Sequence, residues 1–539
     1  MKTKFYFGAF AALALGFASC SSDEPINGPV DPDGPATGEK YMAVVISDVG
    51  SNGKASLPGD NDFENPAAGS NESSFKAENV RFYFFTADGQ PFVMVQNGVN
   101  GTVSHTNMVA PTELKTSNDN GAGATIQGVL VLGTATTPYV GDKPAKVFCV
   151  ANPIQTKFED FANRPLNDLK TIVARYDQEK NPQSTFCFTS STYASGTNEV
   201  FYTDVAGKIY DDPDKAKGDP AKIFLERLVA KVRVTGIETK PVKERTGDNT
   251  VAVKDFKING VDGTTQLNVE LVGWKLIKNS KTTYAIKNIS SFIGEGNSPF
   301  ENWNDPDRHR SYWAYTACQQ SSDFFRTTYD IYKDAFPLKS FAKDKPLENM
   351  AYCYGNTRFA GDLEKDDIAN PVTARHTNAT AILVKGIVKK AGEDAGLDFV
   401  YWGGEYFLTD NFKKVVVDRW NNEHGLTGTS AKTTDDVTFI DGTSPNSWKA
   451  KVGDSAYDTF DNILWWQNGV TSYYLNIKHV GGKFGVVRNH IYDYELTDVI
   501  GLGVPGNDPN DPKDPTENYL AAVVYCLNWR IVSNQTVLE

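Results

Sequence analysis

At 539 residues the chain is long enough for about two to four domains, each with an ample core. Aromatics at 12%, with 45 glycines and 26 prolines, suit a β-rich protein with many turns. A net charge of −13 argues against partners such as nucleic acid or an acidic lipid surface.

The N-terminus reads as an address. Lys2 and Lys4 precede an apolar run from Phe5 to Ala18, followed by Ser19 and Cys20. That run is too short for a permanent membrane helix. It resembles a bacterial lipoprotein signal over residues 1–20, with Cys20 as the lipidated first residue; the alternative is an ordinary secretory signal ending near Ala18. Residues 21–40 are polar and rich in Pro and Gly, as a tether is. Their early Ser-Asp-Glu is similar to a surface-export tag of Bacteroidetes lipoproteins. Beyond Cys20 the cysteines are Cys149, Cys187, Cys318, Cys353 and Cys526. Their odd number and wide spacing predict no disulfide framework.

A succession of strands follows. Tyr41–Ile46 (YMAVVI) is apolar on both faces, which predicts a strand covered on both sides. Asn79–Phe92 reads as a strand, an Asp88-Gly89 turn and a return, and Ala145–Ile154 as another strand. Phe161, Leu166, Leu169, Ile172 and Val173 sit at helical spacing and predict one or two short helices broken at Pro165. Tyr210–Lys222, acidic and carrying Gly and Pro, marks the best domain boundary. The pattern places an N-terminal domain over 41–221 and a C-terminal one over 222–503. In the second, Val232 and Val234 alternate with Lys231, Arg233 and Thr235. Further strands are expected in 256–277, at Ala379–Lys390, in VYWGGEYFL and SYYLNIKHVG, and in Gly485–Gly503. Many strands with little helix imply an all-β fold of two β-sandwich domains with a few short helices.

Residues 504–518 form a stiff spacer with Asp-Pro at 508–509, 511–512 and 514–515. Then comes 519–539, YLAAVVYCLNWRIVSNQTVLE. Tyr519, Ala521, Val523, Tyr525, Leu527, Trp529 and Ile531 share one face, and the other is also apolar as far as Cys526. Two readings stay open: a last core strand of its own domain, or a strand handed to another molecule.

Signs of chemistry are scarce. His105, His309, His376, His424, His479 and His490 show no metal-ligand spacing, and no nucleophile elbow, Walker loop or paired Rossmann glycines occur. No enzyme activity, cofactor or metal is expected. Glu364, Asp366 and Asp367 read as a solvated loop rather than a calcium site. Arg308, His309 and Arg310 beside Tyr312 and Trp313 read as a salt-bridged surface loop or a binding patch. Asp458, Thr459 and Phe460 read as a loop in which Thr459 is a candidate for glycosylation.

Seven stretches in order carry a resemblance: VRFYFFTADG at 80–89, AKVFCVANPI at 145–154, LERLVAKVRV at 225–234, PLENMAYCYGNT at 346–357, GVVRNHIYDYEL at 485–496, GLGVPGNDP at 501–509 and LNWRIVSNQTVL at 527–538. Together they resemble the Bacteroidetes fimbrillin family of type V pili, in its Mfa-type branch of shaft subunits. The resemblance implies two transthyretin-like (Greek-key) sandwiches, export as a lipoprotein through the outer membrane, and polymerisation by strand exchange after proteolysis. Its implied partners are identical subunits, anchor and tip proteins and a trypsin-like protease. The displaced strand would carry Met42, Val44, Val45 and Ile46. The donor strand would carry Val523, Tyr525, Leu527, Trp529 and Ile531. Relatives are cut after an arginine in the loop that follows the first strand. Here the first arginine of the chain is Arg81, inside a strand, so cleavage is expected between Lys54 and Ala55. A monomeric surface lipoprotein binding glycan or host protein, through Asn302–Tyr315, and a pilus anchor are the alternatives.

Overall fold

The computed structural model describes residues 40–48, 79–97, 103–110, 114–117, 125–133, 144–153, 161–175, 186–235, 245–247, 250–253, 256–277, 279–280, 282–293, 303–314, 350–357, 380–444, 447–477, 479, 485–499, 501–505, 520–527 and 532–536. Most of them lie in strands, arranged in several sheets.

The first sheet has nine strands, drawn from the first half of the chain. They are β1 (Lys40–Asp48), β2 (Val80–Phe85), β3 (Met108–Val109), β4 (Leu114–Ser117), β5 (Thr125–Gly133), β6 (Lys146–Ala151), β7 (Phe188–Ser190), β8 (Thr203–Asp204) and β9 (Ala221–Arg227). The order is β3-β2-β6-β7-β9-β1-β5-β4, with β8 paired to β6. β2 and β6 are apolar runs, VRFYFF and KVFCVA, almost wholly buried. That is how strands covered on both faces read. The return expected after Asp88-Gly89 is brief: Phe85 bridges Pro91, and Gly89 holds φ +86° in the turn. The expected helical stretch is one 3-10 helix, Leu166–Thr171, starting behind Pro165 and burying Leu166 and Leu169. Val173 already belongs to a short strand, Val173–Arg175. The short helix α1 (Pro213–Gly218) is capped by Asp212, whose side chain accepts from the Asp214 N–H.

The second half contributes, in chain order, β10 (Val229–Thr235), β11 (Arg245–Gly247), β12 (Thr250–Val253), β13 (Leu267–Ile277), β14 (Met350–Tyr354), β15 (Ala381–Lys390), β16 (Phe399–Trp402), β17 (Glu405–Leu408), α2 (Thr409–His424), β18 (Val437–Asp441), β19 (Trp448–Val452), β20 (Leu464–Trp466), β21 (Val470–Asn476), β22 (Ile491–Val499), β23 (Val504–Pro505), β24 (Leu520–Leu527) and β25 (Val532–Thr536). Two sheets pack on a common core. One runs β14-β10-β22-β24-β25, the other β11-β12-β13-β15-β21-β23. Val232, Val234, Tyr492 and Tyr494 from the first meet Val269, Trp274, Val384 and Tyr473 from the second. In β13 a bulge between Leu271 and Gly273 turns Val272 outward, 49% exposed, and lets Trp274 point into the core.

The chain passes from the first sheet to the second half at Leu228, between β9 and β10. The halves share more than this crossing. Thr282–Tyr284 pairs with Val173–Arg175, and Ala285, Ile286, Met350, Tyr352 and Ile491 join the first core.

Between β15 and β21 lies a smaller unit with its own core. Phe412, Val416 and Val417 of α2 pack on Val437, Ala450, Val452 and Phe460. The sixteen-residue helix ends at Gly425, whose φ of +63° makes the left-handed cap that a glycine adopts freely. It exceeds the short helices expected from the sequence.

Candidate functional site

β1 is the element the sequence singled out, and it occupies an internal place in the first sheet. It runs parallel to β9, Val44 opposite Ala221 through Asp48 opposite Leu225. It runs antiparallel to β5, Tyr41 opposite Val131 through Ser47 opposite Thr125. Both backbone edges are therefore paired. Met42 and Val44 are buried in the first core and Ala43 is buried as well, so at 42–44 neither face of the strand meets water. Val45 and Ile46 lie within the strand, opposite Lys222 and Ile223 of β9. The Tyr41 N–H donates to the Tyr210 carbonyl at 2.7 Å, and the Tyr210 N–H donates back to the Tyr41 carbonyl at 2.9 Å. Among the described residues, the β4–β5 hairpin is hydrogen-bonded to the other strands of the sheet through β1 alone.

At the other end of the chain, β24 pairs antiparallel with β22. Val523 faces Glu495, Tyr525 faces Asp493 and Leu527 faces Ile491. β25 folds back on β24 and forms the edge of that sheet. In the single chain the C-terminal strand thus completes its own domain's sheet, from an outer position. Cys20, Lys54, Ala55, Trp529 and Ile531 lie outside the described residues, as does the acidic group Glu364, Asp366 and Asp367.

The aromatic loop at 303–314 corrects the surface reading. Arg310, Tyr312 and Trp313 are 1%, 1% and 0% exposed. Pro306 and Asp307 are exposed, and Arg308 is half-buried and pairs with Asp305 at 3.3 Å. The loop turns inward because it seals the junction between the halves. There Glu226 of β9, fully buried, meets Lys287 Nζ at 2.7 Å and Arg488 Nη2 at 2.5 Å. Arg488 Nη1 donates to the Tyr284 carbonyl at 2.7 Å, and Lys287 donates to the Ser311 carbonyl at 2.8 Å. Asn489 takes φ +61°, a conformation asparagine tolerates, and its N–H donates to the Val229 carbonyl. Burial pushes the Glu226 carboxyl up, but Arg488 and Lys287 together outweigh it and hold it below the usual range. Burial pushes Lys287 down to about 8 against the pull of Glu226. Sequence reading missed this cluster because no spacing announces it: Glu226, Lys287 and Arg488 belong to three distant segments.

Thr459 is exposed in a turn between Tyr457 and Phe460, both buried. Cys149, Cys187 and Cys353 are buried thiols, and burial pushes Cys149 and Cys353 up. Among the described residues no group of three or more His, Cys, Asp or Glu is placed to hold a metal, and no helix is long and apolar enough to cross a membrane.

No family model matches the chain, and no curated protein matches it. Solved structures do. A protein assigned to cell adhesion from Parabacteroides distasonis is 11% identical, covering 91% of this chain and 97% of that one, with a TM-score of 0.37. A fimbrial assembly protein from the same species is 9% identical, covering 92% and 99%, with a TM-score of 0.28. The tip fimbrial protein Mfa3 from Porphyromonas gingivalis, with a C-terminal truncation, is 9% identical, covering 91% and 100%, with a TM-score of 0.30.

Proposed function

We propose that the chain is a shaft subunit of a type V fimbria on the cell surface, serving adhesion and biofilm formation. It is exported as a lipoprotein through Cys20, cut between Lys54 and Ala55 by a trypsin-like protease, and polymerised by strand exchange with identical subunits between anchor and tip proteins. Residues 41–221 and 222–503 act as its two domains.

The observation that carries this reading is the place of β1. It is an internal strand with both edges paired and Met42 and Val44 buried, yet it belongs to the segment that a cut after Lys54 would release. Its departure would open two ladders and uncover side chains worth about 1.5–3 kcal/mol each in burial. A vacancy of that kind demands a replacement. The C-terminal segment has the matching pattern: Ala522-Val523-Val524-Tyr525 beside Ala43-Val44-Val45-Ile46, small, branched, branched, large. It also sits where it can leave, since β24 and β25 are the last two strands on their side of the sheet. A head-to-tail contact of this type does not close and so grows a fibre. Burial of Arg310, Tyr312 and Trp313 leaves the glycan-binding alternative fewer aromatic side chains to offer a ligand.

N-terminal sequencing and intact mass of protein sheared from cells test the reading. A chain starting at Ala55 without lipid is expected. A sheared chain still carrying lipidated Cys20 would overturn release of β1 and leave an anchor. Deleting Tyr519–Glu539 is expected to abolish polymers while leaving export intact.

A further inference from the structure

The ring of His490 lies at the junction, fully buried, 4.9 Å from that of His479 between centroids. Its Nδ1 faces the Arg488 carbonyl at 2.9 Å. A carbonyl only accepts, so Nδ1 carries the proton. Nε2 is left as a bare acceptor, buried and without a hydrogen-bond partner. His479 is held in the other tautomer. Its Nε2 lies 2.6 Å from the Tyr312 carbonyl and donates to it, while its Nδ1 accepts from the Tyr492 hydroxyl at 2.8 Å. The Tyr492 oxygen accepts from the Val487 N–H at 2.7 Å, which turns its hydrogen toward His479. His490 is neutral in this arrangement.

On the β10 side the fully buried Lys231 donates its backbone N–H to the His490 carbonyl at 2.9 Å, and on the β9 side the fully buried Arg227 donates to Asn489 Oδ1 at 3.3 Å. Tyr312 lies 6.0 Å from the His490 ring and Tyr492 6.4 Å, by ring centroids. His479, Arg310 and Lys287 act on it electrostatically, and Arg488 supplies the carbonyl. Glu226 is bound to both Lys287 and Arg488. A proton arriving at Nε2 would thus create a charge with no acceptor, beside Arg310 and Lys287.

We propose that this cluster is an acid-released clasp, in which protonation of His490 frees the junction between β9 and the turn leading into β22 while the cores on either side stay folded. The direction of the linkage supports it. Burial, then His479, Arg310 and Lys287, hold the closed-state imidazole well below its ordinary 6.5. An opened junction takes up the proton near 6.5, so closure weakens as pH falls below that value. Glu226 acts with the same sign, because its carboxyl is held below the usual range in the closed state. So does Lys287: its closed-state value of about 8 against an ordinary 10.5 means that closure strengthens as pH rises through that interval. The clasp concerns stiffness between the halves of one subunit and is independent of how subunits assemble.

Hydrogen exchange of the full chain, read by mass spectrometry from pH 7.5 to 5.5 and corrected for the intrinsic rate, tests the clasp. Peptides spanning 224–235 and 485–496 are expected to open about tenfold more per pH unit below 6.5, as one proton of linkage requires. Peptides spanning 267–277 and 381–390 are expected to hold. The substitution His490→Asn keeps a donor for the Arg488 carbonyl and cannot titrate, so it should flatten the profile. His490→Gln serves if that variant does not fold. Junction peptides that stay protected at pH 5.5, a rise shared equally by 267–277, or a folded variant with the wild-type profile would each overturn the proposal.

Discussion

Replacing Glu226 by glutamine removes one charge from the junction and almost no volume. In the wild type this carboxylate accepts from Arg488 Nε at 2.9 Å and Nη2 at 2.5 Å and pairs with Lys287 at 2.7 Å. Hydrogen bonds to charged groups contribute about 1.5–3 kcal/mol each. Burying the ions opposes that gain, so the sum overstates the net value of the cluster. What the substitution exposes is the cost of two cations left in a dry site, and breaking a buried pair costs about 3–5 kcal/mol. Glutamine retains one acceptor oxygen but turns its amide hydrogens toward a cation, so a loss of about 3–4 kcal/mol is expected. Lys287 is the more dispensable partner, since burial already lowers its amine to about 8. Lys287→Met alone should cost about 1–2 kcal/mol, chiefly the bond to the Ser311 carbonyl. The double variant should be less damaged than the sum by about 1–2 kcal/mol, because methionine removes one of the stranded charges. Urea unfolding followed by tryptophan fluorescence reads this out, with Trp313 buried 5.4 Å from the His479 ring and reporting the junction itself. A Glu226→Gln variant within about 0.5 kcal/mol of wild type, or strict additivity of the pair, would refute a clasp held by charge.

Further outcomes follow from other sites. Trp274→Ala should cost about 3–5 kcal/mol in thermal or chemical unfolding, as a fully buried indole leaves a cavity between the two C-terminal sheets. Gly469→Ala should destabilise measurably, because φ there is +69° and a Cβ would stand 2.2 Å from the Val388 carbonyl oxygen. Val44→Asp should prevent β1 from seating and lower the yield of folded chain, seen as increased protease sensitivity, because a lone carboxylate would enter a dry core. The Asp461 carboxyl, held down to about 2 mainly by the Thr443 hydroxyl and then by its N–H, should titrate near that value by NMR and move upward in Thr443→Val.

The strands were legible in the sequence wherever burial is two-sided. VRFYFF and KVFCVA, and Met42 to Val44 of β1, carry little but apolar residues because both faces are covered. The crossing at Leu228 was harder to read. β9 and β10 are separated by Leu228 alone, with no glycine or proline between them, and only pairing partners assign them to different sheets. Helix α2 was hidden by its own composition. Its Val415-Val416-Val417 run favours a strand locally, and only packing of Phe412, Val416 and Val417 on the small unit's core decides for helix. Gly425 after His424 was the available stop signal. The junction was legible only as isolated polar letters. Arg310 and Lys231 look like surface residues until the tertiary fold buries them.

The position of β1 has a kinetic corollary. An outer strand can be lost and leave one tidy sheet behind. Here the first sheet would be severed between β9 and β5, and among the described residues the β4–β5 hairpin would keep no ladder to its former neighbours. A fully vacant state would therefore be a broken subunit rather than a waiting one. On the proposed strand exchange, replacement would be cheapest as branch migration, with an incoming strand zipping in from one end while the resident unzips toward the other. Because β9 demands a parallel partner and β5 an antiparallel one, the newcomer can enter with only one chain direction, and any filament built this way inherits that arrow at every joint.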